Sequence, residues 1–92
     1  MDKRLFPKQR LTLLVLDILK PHEPDNINFA KALSAVPGVS RVDLSLDEMD
    51  ERTQTLRVII AGDNIDYGKL RKTIEELGGS IHSVDRVVVT KG

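Results

Sequence analysis

The chain has no cysteine and no tryptophan, and among its 92 residues there are only two phenylalanines and one tyrosine. Without cysteine there is no disulfide framework, no thiolate nucleophile and no Cys-ligated zinc or iron-sulfur centre, so stability must come from packing. Three aromatic rings (Phe6, Phe29, Tyr67) leave little with which to stack bases or sugars. An excess of either charge is missing too. Lys plus Arg number 14 and so do Asp plus Glu, so no global field attracts phosphate backbones or anionic lipid. No apolar run is long enough for a membrane span or a signal segment. These absences lead us to expect a soluble, cytoplasmic protein that neither enters membranes nor is built for nucleic acid.

What is present is a regular alternation of element types. Leu11 to Lys20 (LTLLVLDILK) is apolar at both parities, as in a central strand covered on both faces. Pro21 and Pro24 stop it and make PHEPDN a loop. In NFAKALSAV, residues Phe29, Ala30, Leu33 and Val36 fall at helical spacing, and Pro37-Gly38 ends the helix. Val39 to Glu48 alternates, with Val42, Leu44 and Leu46 on one side and Arg41, Asp43, Ser45 and Asp47 on the other. A polar turn around Asp50-Glu51-Arg52 leads to a second alternating strand, Leu56, Val58 and Ile60, ending near Gly62. Tyr67, Leu70, Ile74 and Leu77 form one helical stripe closed by Gly78-Gly79, and Ile81 to Thr90 reads as a last, valine-rich strand.

The order β-α-β-β-α-β is that of a ferredoxin-like α+β domain over residues 10–92. Right-handed crossovers and a joining hairpin give a four-stranded antiparallel sheet of order 4-1-3-2 with both helices on one face. Residues 1–9 are left as a tail or edge extension. The two halves also echo each other. DNINFAK at 25–31 and DNIDYGK at 63–69 share four of seven residues at an offset of 38, and VSRVD at 39–43 matches IHSVD at 81–85 at an offset of 42. We read this as an internal repeat, with Asn28 and Asp66 as helix N-caps and Ile65 stapled to Leu70.

In this layout one sheet face is bare in a monomer. Asp17 should mark it, together with Leu13, Val15, Ile59 and part of Val84 to Val89. An apolar patch there points to self-association, since nine N-terminal residues with two large apolar side chains, Leu5 and Phe6, cannot cover four strands.

The same topology gathers polar loops at one end. His22 and Glu23 follow the first strand, His82 and Ser83 open the last, and Asp47, Glu48, Asp50 and Glu51 make the hairpin tip. Four carboxylates within five residues suit a hard cation such as Ca²⁺, although without the spacing or glycine of an EF-hand loop, and a solvated turn protecting an edge strand accounts for them as well. His22 with His82 would suit another divalent metal if they lie close. A salt bridge between Asp17 and Lys20 is the ordinary fate of such a pair. No Ser-His-Asp spacing, glycine-rich phosphate cradle or paired-carboxylate cleft is visible, so an enzyme is not expected.

The segments LDILKPHEPDNINFAKAL and GGSIHSVDRVVV, with the acidic hairpin between them, resemble a small archaeal family known as domain of unknown function 211. The resemblance runs over nearly the whole length and is most specific at Leu16 to Pro24, Gly62-Asp63 and Ile81 to Asp85. It implies a free-standing ferredoxin-like domain that assembles into rings or larger oligomers. It brings no activity with it, and it singles out Lys20, His22, His82, Ser83 and Asp85 as ligand-binding candidates. Arg86 departs from the family pattern, which is more often acidic there.

The leading expectation is therefore a non-enzymatic homo-oligomeric binding or regulatory module, taking a divalent cation or small ligand between protomers much as ACT-like domains do. An RNA-recognition-like sheet is the alternative, opposed by the missing aromatics. An acylphosphatase-like hydrolase is another, opposed by an acidic, proline-braced loop where an Arg-bearing phosphate loop would be required.

Overall fold

The computed structural model describes residues 8–92. Their elements are β1 (Gln9–Pro21), α1 (Asn26–Ser34), β2 (Val39–Met49), β3 (Thr53–Gly62), α2 (Tyr67–Glu76) and β4 (Ser80–Lys91). The sheet order is β2-β3-β1-β4, all antiparallel. Read from the other edge this is 4-1-3-2, so the fold is ferredoxin-like. β1 begins one residue inside the expected tail. Whether Leu5 and Phe6 cover the sheet concerns positions outside the described residues.

One core lies between the sheet and the helices. Leu14, Leu16 and Ile18 of β1 and Leu56, Val58 and Ile60 of β3 meet Phe29 and Leu33 of α1 and Leu70 and Ile74 of α2. Alternation along the two central strands puts every second side chain on that face. Burial of about 1.5–3 kcal/mol per large apolar side chain makes this layer the main source of stability.

The helices begin differently in the two halves. Asp66 caps α2 as expected, accepting the Lys69 amide at 3.0 Å, and Ile65 before it is buried with Leu70. In the first half Asp25, not Asn28, is the cap. Its carboxylate accepts the Asn28 amide at 2.8 Å and the Asn28 side-chain amide at 3.0 Å. Asn28 is thus drawn into the first turn, because a carboxylate three residues earlier already satisfies its N–H.

Helix length limits how much of the sheet is covered. Nine- and ten-residue helices reach about 14–15 Å, whereas strands of twelve and thirteen residues run about 40 Å. The domain is accordingly elongated, 47 × 21 × 20 Å. Beyond the start of α2 no helix among the described residues lies above the helix side of β1 and β4.

Register slips decide which side chains lie there. Thr12 is skipped between the Leu11–Val89 and Leu13–Val88 pairs, so Leu11 joins the helix side instead of sharing a face with Leu13. Val84, Val87 and Val89 lie opposite Leu16, Leu14 and Leu11, on the helix side, and all three are exposed. The open face carries Leu13, Val15, Ile59 and Val88 beside Asp17, Arg57, Ser83 and Arg86. Val15 is buried and Leu13 and Ile59 are half-buried, so the more exposed apolar surface is the helix side of β4.

Candidate functional site

β4 is an edge strand, and two residues in it fall out of register with β1. His82 is skipped between the Ile18–Ile81 and Asp17–Ser83 pairs, and Asp85 between Leu16–Val84 and Val15–Arg86. Such bulges re-aim side chains at sheet edges. Facing the strand, Tyr67, Arg71 and Glu75 stand four residues apart on α2 and form one ridge. Between ridge and strand lies a cleft of about 410 Å³, to which Ser80, His82 and Ser83 also contribute. Arg71 donates through Nε to Glu75 at 3.3 Å, an exposed pair.

The cleft does not end at Val84. A second hollow of about 380 Å³ is lined by Leu11, Leu14, Tyr67, Val84 and Val87, so Tyr67 and Val84 belong to both. The result is one groove along the β4 edge, polar beside the end of α2 and apolar where α2 has not yet begun. A larger hollow of about 500 Å³ opens between the helices, lined among others by Ala32, Ala35, Lys69 and Lys72. It holds none of the candidate residues.

The candidates named from sequence divide among three places. His82 and Ser83 belong to the groove. On the other side of the strand Ser83 Oγ lies 2.9 Å from Asp85 and 3.3 Å from Asp17, so its single hydroxyl hydrogen has two carboxylates within reach, Asp85 the nearer. Asp17 therefore partners Ser83. Lys20 points to the opposite face from Asp17 and is 1% exposed. Its ammonium donates to the carbonyls of Pro21 at 2.7 Å and His22 at 3.4 Å, and it stands over the Phe29 ring. Burial lowers its pKa, opposed by the nearby charges of Glu23 and Asp25. Gln54, its cross-strand neighbour, is buried with Oε1 unpartnered. Lys20 thus braces the loop that contains the cis Glu23–Pro24 bond.

The third place is the hairpin. His22 Nε2 lies 2.9 Å from the Asp50 carbonyl oxygen, tying the loop after β1 to the hairpin tip. The Asp50 carboxylate accepts the amides of Thr53 and Arg52 and the Thr53 hydroxyl, which hold its pKa below the ordinary carboxylate range. Asp50 is therefore a turn-former, while Asp47, Glu48 and Glu51 are exposed. His22 meets the hairpin, whereas His82 lines the cleft beside α2. Among the described residues no three His, Asp or Glu side chains are grouped closely enough to hold a metal ion.

A model of the DUF211 family, described as Uncharacterized ArCR, matches residues 12–92. The chain belongs to this family. The chain is also 42% identical over 78 residues to uncharacterized protein MJ0319 of Methanocaldococcus jannaschii, a match that covers 85% of this chain and 80% of that relative. The β1–α1 loop, the hairpin and, apart from Leu11, the α2–β4 groove of this DUF211 domain lie within the matched residues. No helix among the described residues is long and apolar enough to cross a membrane.

Sequence reasoning reached His82 and Ser83 but missed Tyr67, Arg71, Glu75 and Ser80 as their companions. The i, i+4, i+8 spacing of the α2 residues was readable. What was not readable was that this ridge, beside the buried Leu70–Ile74 stripe, overlooks the edge of β4.

Proposed function

We propose that this chain is a non-enzymatic, self-associating binding module whose small ligand sits along the α2–β4 edge, where protomers meet. The observation that carries this reading is the row of exposed Val84, Val87 and Val89 on an edge strand that continues beyond α2. An unpaired strand edge beside apolar side chains is a surface that water disfavours and a second chain can cover. The Arg71 and His82 end of the groove adjoins it, so association would enclose polar groups able to select a ligand. The internal repeat supports the same placement. Register slips occur at Ser40 in β2 and at His82 in β4, 42 residues apart, so the second copy presents an imidazole where the first has a hydroxyl.

Light scattering at micromolar concentration tests the reading. The expected mass is a multiple of the 10.3 kDa protomer. Val87→Asp should move it toward a single protomer while leaving the circular dichroism spectrum unchanged. A strict monomer in the native protein would sink the proposal.

A further inference from the structure

We infer that the α2–β4 groove takes an amphipathic anion, a small molecule with a carboxylate or phosphate head and an apolar chain. The inference rests on the reading of this edge as the ligand-binding face and names the class of ligand.

The groove is divided by chemistry along its length. At the end near Ser80 the wall includes Tyr67, Arg71, Ile81 and His82, so a guanidinium, an imidazole and a phenol hydroxyl are the polar side-chain groups at hand; Ser80, opposite Leu19, sends its own hydroxyl to the open face. Glu75 is the one carboxylate in that wall, and it is already paired with Arg71 Nε. The terminal nitrogens of Arg71 remain, and a planar fork of donors matches the oxygens of a carboxylate or phosphate. Past Tyr67 and Val84 the lining changes to Leu11, Leu14 and Val87, which offer no hydrogen-bonding side chain. A head group placed at Arg71 and His82 would send its chain into this second half.

Size and exclusion agree with that assignment. Two connected hollows of about 410 and 380 Å³ fall within the range of small-molecule sites. A nucleotide or sugar would meet aliphatic walls and one tyrosine, with no polar side chain beyond Tyr67 and Val84 to satisfy its several hydroxyls. An alkyl ammonium would place its charge against Arg71. The register slip falls at His82, the imidazole-bearing residue of that wall, and bulges re-aim side chains at sheet edges.

Titration calorimetry of the native protein with sodium decanoate and with decyl phosphate, below their micellar concentrations, tests the inference. Amide chemical shifts followed by NMR locate the site. Saturable binding of at least one of the two anions is expected, with shifts at Tyr67, Arg71, His82, Val84 and Val87; the two titrations distinguish the head groups. Decyltrimethylammonium should bind at least about tenfold more weakly. Arg71→Gln, on an exposed helix position, should weaken the anion by about tenfold, as loss of a charge-assisted contact would. Val87→Thr should weaken it while preserving the fold, and Arg52→Gln at the hairpin should change nothing. Equal binding of the cationic amphiphile, shifts mapping elsewhere, or indifference to both groove substitutions would overturn the inference. The mass of the same samples by light scattering reports on self-association separately, so a monomer that binds, or an oligomer that does not, shows which of the two readings has failed.

Discussion

The ammonium of Lys20 stands 5.5 Å from the centre of the Phe29 ring, pinned between the sheet and the first helix. Two carbonyls of the loop that follows, those of Pro21 and His22, accept its hydrogen bonds. Lys20→Met keeps an unbranched apolar stem but leaves those carbonyls without their donor. It should destabilise the domain by about 1.5–3 kcal/mol in denaturant unfolding, the usual worth of hydrogen bonds from a charged group. Because burial lowers the lysine pKa in the folded state, the unfolded chain binds the proton more tightly. The native protein should therefore gain stability as pH rises from the folded pKa toward 10.5, and the Met variant should lack that gain.

Gly62 and Gly38 pack backbone to backbone. A Cβ on Gly62 would collide with the Gly38 carbonyl oxygen and stand 3.0 Å from the Val39 Cα, all main-chain atoms that cannot swing aside. Gly62→Ala should cost about 1–3 kcal/mol or more, measured by thermal unfolding. A stability within experimental error of native would show that the β2–β3 end can open without cost.

Asp50 gives a pH-dependent prediction. Its carboxylate, held charged first by the Thr53 amide and then by the Arg52 amide, has a lowered pKa in the folded state. The stability it contributes is present above the unfolded carboxylate pKa and is lost as pH falls through the folded one. Asp50→Ala should melt below native protein at pH 7, and the gap should close as the solution is acidified toward pH 2. A gap constant with pH would assign the effect to the turn backbone alone.

His22 and the Asp50 carbonyl join two loops at 2.9 Å. His22→Ala should raise hydrogen exchange at Arg52 and Thr53 while leaving Leu16, Val58 and Ile60 protected. The global loss should be about 0.5–1.5 kcal/mol, the net worth of one hydrogen bond. Uniform deprotection would mean that the hairpin and the core open together.

Much of this architecture was legible in the chain. Two-residue alternation in β2 and β3, helical stripes at Phe29–Leu33 and Leu70–Ile74, and proline or glycine stops give the βαββαβ order, because each is a local property of the backbone. The candidate site was legible only in part. Register slips at Thr12 and His82 depend on how β1 and β4 align, and they moved Leu11 to the helix side and His82 to the groove. Lys20 and Asp17 look like partners three residues apart, yet a strand sends them to opposite faces.

The clearest division lies in the repeated tripeptide Asp-Asn-Ile. Sequence by itself determined that Asp25-Asn26-Ile27 and Asp63-Asn64-Ile65 each stand at the entrance to a helix, since carboxylates there satisfy free amides. It did not determine which residue caps. Asp25 takes that role in the first half and puts Ile27 in the first turn, 70% exposed. In the second half Asp66 caps, Asp63 turns to Arg10 at 2.7 Å, and Ile65 is buried at 5%. The identical tripeptides met different neighbours: Asp66 follows where the first half has Asn28, and Arg10, Leu70 and the sheet engage Asp63 and Ile65. The α2–β4 groove was decided in the same way, because its two walls come together only when the last strand docks beside the first.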